Sequence, residues 1–249
     1  MSKKLFFSVV LLSSLTVFGQ ITTNGVFVPV QSTGTPTYEI VAKGVKPNNN
    51  PFVIGKTYNT AQGYSIITTN DTVTLRFSNG LNVKVETNSN FSAYELKQEM
   101  TIPSQPGIPK LGSHVFTTAL QDGEAVFVFD GTDSNSMCSV STSLCDFELL
   151  KGKFYFQCSE KSVIVFVLEG SLKYHSEHNR TGVVEAGKAL AVVPVQHQMK
   201  GLDDKVFINS VKVKPDQLAT LLADATSVDK SPKVLFVVVN GELIGINLD

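Results

Sequence analysis

From Tyr64 onward the chain alternates apolar and polar residues in short runs separated by turn residues, and this rhythm constrains the fold more than any other feature. The runs are YSIITT (64–69), TVTLRFS (72–78), LNVKVET (81–87), EAVFVFD (124–130), KFYFQC (153–158), SVIVFVLEG (162–170) and KALAVVPV (188–195). Side chains on a strand point alternately to opposite faces, so a period of two builds strands buried on one face. In TVTLRFSNGLNVKVE the pair Asn79-Gly80 predicts a two-residue type I′ hairpin turn, because both residues accept positive φ. Thr72, Thr74, Arg76 and Ser78 then share one face with Asn82, while Val73, Leu75, Phe77, Val83 and Val85 take the other.

Earlier residues add short strands at VFVPV (26–30) and YEIVAKGV (38–45), with KPNNNP (46–51) as a loop. The proline- and glycine-rich TIPSQPGIPKLGS (101–113) is expected to separate two halves of the sheet system. A single segment reads as helix, KPDQLATLLADATS (214–227). Pro215 suits its first turn, and Leu218, Leu221, Leu222 and Ala225 form one stripe. KVLFVVVNGELIGINL follows, a second hairpin turned by Asn240-Gly241. The expected fold is all-β, an antiparallel solenoid- or sandwich-like domain with one short late helix and a C-terminal hairpin. The chain lacks βαβ alternation, GxGxxG and GxxxxGK[ST], which sets nucleotide chemistry aside.

The opening MSKKLFFSVVLLSSLTVFGQ has a basic n-region, an apolar run and small residues at Val17 and Gly19. It reads as a signal peptide cleaved before Gln20, too short for a permanent membrane span. No cysteine precedes Cys138, so lipoprotein-type attachment at the cleavage site is excluded. The expected product is exported, to a periplasm, a cell surface or the medium. Its expected organisation is signal peptide 1–19, N-terminal strands and loop 20–53, main β domain 54–200 and strand–helix–hairpin extension 201–249. Loss of Lys3 and Lys4 leaves 19 basic against 22 acidic side chains, and the basic ones are scattered. That argues against a nucleic-acid or anionic-membrane partner, since the electrostatic term that they need is missing. Cys138, Cys145 and Cys158 show no CxxC spacing, and read as small buried hydrophobes with at most one bridge, of undetermined pairing.

The segment IGKTYNTAQGYSIITTNDTVTLRFSNGLNVKVETNSNFS (54–92) resembles the opening of an FecR domain, with Gly63, Thr68, Leu75, Phe77, Asn79, Gly80, Val83, Asn88, Ser89 and Phe91 at matching positions. Downstream, SVIVFVLEGSLKY and GVVEAGKALAVV are similar to that family's closing strands, matched at Leu168, Glu169, Gly170, Ser171, Ala186 and Gly187. The resemblance spans residues 54–195 and implies a β-rich solenoid-like module lying outside the cytoplasmic membrane. In signalling members such modules report a transporter's state to a sigma factor. The cytoplasmic anti-sigma segment and mid-chain membrane helix of those members have no counterpart here, so only the extracytoplasmic module carries over.

A cupin-like barrel is the alternative, because VLEGSLKY…EAGKALAVVPVQHQ would also fit one, with His197 as a late metal ligand. The preceding strand pair, GKFYFQCSEKSVIVF, supplies no histidine, and its one carboxylate, Glu160, sits in a turn. His175 and His178 occupy a polar hairpin tip, where a three-residue spacing would put them on opposite strand faces. No GxSxG elbow occurs, and Asp122 with Glu124 and Asp203 with Asp204 read as loop charges. The expectation is therefore a non-enzymatic protein with no metal or cofactor. Its expected partner is an envelope protein (a transporter or membrane-anchored regulator) or a second copy. Thr72, Thr74, Arg76 and Asn82 form the candidate binding surface, or else an ordinary solvated sheet face.

Overall fold

A computed structural model describes residues 19–42, 48–102, 108, 110–130, 136–176, 181–194 and 206–248. The expected signal peptide falls almost wholly outside these. The described strands are β1 (Gly19–Asn24), β2 (Val26–Thr33), β3 (Thr37–Ile40), β4 (Asn50–Pro51), β5 (Tyr58–Asn59), β6 (Tyr64–Ile67), β7 (Thr72–Phe77), β8 (Leu81–Val85) and β9 (Asn90–Ile102). They continue as β10 (Lys110–Phe129), β11 (Met137–Ser141), β12 (Asp146–Ser159), β13 (Ser162–His175), β14 (Thr181–Glu185), β15 (Lys188–Pro194) and β16 (Val206–Lys212). One helix, α1 (Pro215–Lys230), precedes the hairpin β17 (Val234–Val239) and β18 (Glu242–Asn247). The protein is thus mostly β. Sixteen strands form one open sheet, and the last two form a separate hairpin.

The large sheet folds over on itself because three of its strands, β10, β12 and β13, are long enough to serve two layers. One layer runs β5-β2-β7-β8-β10-β12-β13-β15-β16, using residues 123–129 of β10, 152–159 of β12 and 162–167 of β13. The other uses the remaining halves of those strands, with β9, β11 and β14, and extends through β1, β6, β3 and β4. Nearly every pairing is antiparallel; β10 with β11 is parallel. The β12–β13 ladder is irregular around the Gly152–Gly170 pair, where both strands pass from one layer to the other. There a side chain on Gly170 would lie 1.8 Å from the Lys151 carbonyl oxygen, and one on Gly152 would lie 2.1 Å from that of Glu169. Only residues without a Cβ let the two backbones approach this closely.

The core lies between the layers. Phe77 meets Phe116 at 4.9 Å between ring centroids, Phe147 meets Phe156 at 5.4 Å, and Phe91 meets Phe127 at 6.1 Å. Each fully buried ring contributes about 2–3 kcal/mol relative to exposure. Val73, Leu75, Phe77, Val83 and Val85 all point into this core, as their alternation predicts. On the opposite face of the first layer, Val126, Val128, Phe166, Leu168 and Ala189 form a second, smaller cluster. Leu218, Leu221, Leu222, Ala225 and Val228 of α1 cover it, so the helical stripe read from the sequence faces the sheet.

Two local expectations are corrected. The β7–β8 turn has three residues, Ser78-Asn79-Gly80, between Phe77 and Leu81, and Gly80 takes positive φ (84°). The Asn79 side chain accepts the Leu81 N–H at 3.2 Å, which stabilises a type I turn ending in a positive-φ glycine. The Asn240-Gly241 turn, by contrast, has positive φ at both residues (52° and 82°) and is type I′. Segment 101–113 does not divide the sheet system. Thr101 pairs with Lys110, so β9 and β10 form one long hairpin within it.

Gly170→Ala should cost at least about 3 kcal/mol, because it adds a backbone clash to a left-handed φ (77°). Gly187→Ala, at a similar φ (79°) with nothing within 4 Å of the added Cβ, should cost about 1 kcal/mol. Denaturant unfolding of the two variants checks the difference.

Candidate functional site

Thr74, Arg76 and Asn82 do share a face of the β7–β8 hairpin, but that face is not open to solvent. The three are 5%, 6% and 7% exposed, and Thr72 at the strand end is half-buried against Thr33. The cover is the C-terminus of α1 with the Ser231-Pro232 step after it. Pro232 cannot continue the helix, and Ser231 is already extended. The Ser231 N–H and hydroxyl both turn back to the Val228 carbonyl, and the carbonyls beyond it need donors from outside the helix.

Arg76 supplies those donors. Its Nε donates to the Pro232 carbonyl at 2.5 Å, and Nη2 reaches the carbonyls of Ser231 (2.6 Å), Asp229 (3.2 Å) and Val228 (3.3 Å). Nη2 also meets Ser231 Oγ at 3.0 Å, while Nη1 donates to Asn82 Oδ1 at 2.7 Å. A cation at the negative end of the helix dipole is favourable, and a planar guanidinium holds several acceptors at once. Thus the residue expected to meet a partner holds the chain's own helix. Alternation correctly put Arg76 on the face away from the core. It could not show that a helix well over a hundred residues later lies on that face.

Further along the same interface, Lys84 bonds Glu86 and Asp224 of α1. Tyr155 donates its hydroxyl to Glu124, which also accepts Gln157 Nε2 at 2.9 Å. Burial and the Glu124 carboxylate both push the Tyr155 phenol up. Glu124 is therefore a buried-side acceptor in a structural network.

The other sequence candidates do not converge. His175 ends β13 opposite Thr181, half-exposed, with Nε2 4.0 Å from Glu148. His178, His197, Asp203 and Asp204 lie outside the described residues. Among the described residues no group of three His, Cys, Asp or Glu side chains is placed to hold a metal ion. Cys138, Cys145 and Cys158 are all buried and free. Burial pushes the thiols of Cys145 and Cys158 up to about 12 and raises that of Cys138 as well.

A different surface emerges at the C-terminal hairpin. Gly245 packs flat on Val28 of β2, where a Cβ would come within 2.4 Å of Val28 Cγ2. Its N–H donates to Thr57 Oγ1 at 3.0 Å, and that hydroxyl donates back to the Gly245 carbonyl at 3.3 Å. Val234 and Phe236 flank Gly245 on this inner side. Strand alternation then turns Leu235, Val237, Val239, Glu242, Ile244 and Ile246 outward, and Leu248 follows the strand. Val239, Ile246 and Leu248 are 37%, 45% and 58% exposed. The signal was in the sequence, because VLFVVV breaks the apolar–polar rhythm and is apolar on both faces.

No family model matches the chain, and no curated protein matches it. Among solved structures, one described as a candidate anti-sigma factor from Parabacteroides distasonis aligns with a TM-score of 0.43 at 14% identity, over 63% of this chain and 62% of that one. The chain thus spans about three fifths of that neighbour's length. A second structure with the same description and organism aligns with a TM-score of 0.40 at 10% identity, over 75% of this chain and 99% of the other. At such scores the likeness is loose.

Arg76→Ala should destabilise the protein by about 2–4 kcal/mol, since it takes the guanidinium from the Ser231 and Pro232 carbonyls and from Asn82. Chemical denaturation measures this, and Arg76→Lys should recover only part of the loss. The three thiols should resist alkylation in the native protein at neutral pH and react promptly once it is unfolded, as a thiol-counting assay would report.

Proposed function

We propose that this chain is an exported, non-enzymatic protein-binding module of a bacterial envelope, FecR-like in its β domain and associated with signalling. The observation that carries this reading is the outward row of aliphatic side chains on β17 and β18. Exposed contiguous apolar surface of this kind characterises protein-interaction sites. An isolated hairpin is marginal in water, which makes it a natural element to be completed by a partner. The FecR resemblance supports an extracytoplasmic setting, and the absence of basic clustering supports a protein partner over nucleic acid or anionic lipid. The partner on this reading is an envelope protein, such as a transporter or a membrane-anchored regulator.

The cupin alternative finds no support in the architecture, because the sheet is open and does not close into a barrel. Its late ligand, His197, lies outside the described residues.

A photo-crosslinking residue at Val237 or Ile246 should capture one predominant envelope protein in cells, identified by mass spectrometry. Val237→Lys and Ile246→Glu should each reduce that capture at least about tenfold, the scale expected of one interface anchor, while changing stability by less than about 1 kcal/mol. Capture of diverse envelope proteins without preference, or equal capture by both variants, would sink the reading.

A further inference from the structure

A second polar contact besides the Arg76 clamp ties α1 to the sheet. Lys84 Nζ on β8 meets Glu86 Oε1 at 2.6 Å and Asp224 Oδ1 of α1 at 2.9 Å. Two carboxylates, one from the sheet and one from the helix, thus close on a single ammonium. The cluster carries one more negative than positive charge when all three groups are ionised. Its side chains are 23%, 17% and 33% exposed for Lys84, Glu86 and Asp224, so water screens the excess only in part.

The charged and titratable groups around it are otherwise engaged. From β10, Glu124 accepts Tyr155 and Gln157 of β12. Lys153 of β12 lies 3.2 Å from Glu169 of β13 and 3.9 Å from Asp229 of α1. Arg76 of β7 holds the helix end. The nearest cation to the two carboxylates is therefore Lys84, which serves both.

We propose that Lys84, Glu86 and Asp224 form an acid-tightened latch that seats α1, and the hairpin it leads into, more firmly on the sheet in mildly acidic than in neutral or alkaline surroundings. With a proton on Glu86, Asp224 is the one carboxylate left charged and Lys84 neutralises it. Without it, two carboxylates face each other across one ammonium, and like charges so close disfavour the joint ionised state.

The proton affinities run in the same direction. Burial raises the Glu86 carboxyl above its ordinary range; Lys84 draws it back, and Asp224 pushes it further up. For Lys84, burial works to lower the ammonium, but its bonds to the two carboxylates raise it overall. A carboxyl that binds its proton more tightly in the seated state adds stability to that state. The contribution is complete below the ordinary carboxylate range and is lost as pH rises through the raised value. Release of α1 would uncover Val126, Val128, Tyr155, Phe166, Leu168 and Ala189, a strip of sheet otherwise kept dry.

Hydrogen–deuterium exchange of the mature chain between about pH 5 and about pH 8, corrected for intrinsic exchange, tests the latch. The opening constant of residues 215–230 should rise with pH, by up to tenfold for each unit by which the seated Glu86 exceeds its detached value, while amides of β7 and of β10 residues 123–129 stay protected. Glu86→Gln should remove the pH dependence and stay near the low-pH level of protection, and Asp224→Asn should flatten it as well. A wild-type helix whose opening does not change with pH would overturn the proposal. So would Glu86→Gln protein that keeps the wild-type pH profile.

Discussion

The close approach of β12 and β13 at Gly152 and Gly170 is the constraint on which the rest of the structure depends. These strands are long because each must pair in one layer, bend, and pair again in the other. The bend needs two backbones closer together than any side chain permits. Once it is in place, Phe147 and Phe156 of a single strand face each other at 5.4 Å, and the core closes around them. A sandwich made this way requires no separate second sheet. It is one sheet returning over itself, which also explains how so many strands fit together without closing a barrel.

Folding the sheet over leaves the other face of the first layer with an apolar strip, and α1 meets that need. The interface divides by chemistry. Leucines and Val228 cover the apolar strip, while Arg76 and Lys84 hold the polar side. The apolar part drives association without fixing orientation, since hydrophobic burial is non-directional. Arg76 fixes the orientation, because its fork of donors fits only one placement of the helix end. From that fixed end Pro232 leads straight into β17, and Gly245 lets β18 settle on β2. The outward aliphatic row is thus presented by a chain of contacts that begins at one arginine.

Much of this was legible in the sequence for physical reasons that can be stated. The all-β class, the inward face of β7 and β8, the apolar stripe of α1 and the last hairpin all follow from local periodicity or turn chemistry. Such signals span only a few residues. What was missed needed information from far apart in the chain. The lengths of β9 and β10 are obscured by polar residues that alternation alone does not place, and the segment 101–113 reads as a divider although Thr101 pairs with Lys110 across it. Arg76 shows the same limit. Period-2 logic gives the face of a strand, and only tertiary packing decides whether that face meets water or a helix. The Asn79-Gly80 turn differs from Asn240-Gly241 because Asn79 uses its side chain on Leu81, a local competition that the dipeptide does not reveal.

Strands shared between layers also bear on how the molecule comes apart. β1 pairs with β9 and β2 with β7, so the first residues of the described chain are woven into its middle. β10, β12 and β13 each hold both layers together along their own covalent backbone. No cut through the sandwich separates one layer from the other without severing a strand that belongs to both. Cleavage anywhere within those strands leaves two pieces that each carry half of an apolar face, and neither piece retains a core. A protease working on the folded protein can therefore trim the C-terminal helix and hairpin as a unit, but the sandwich itself yields all at once or not at all.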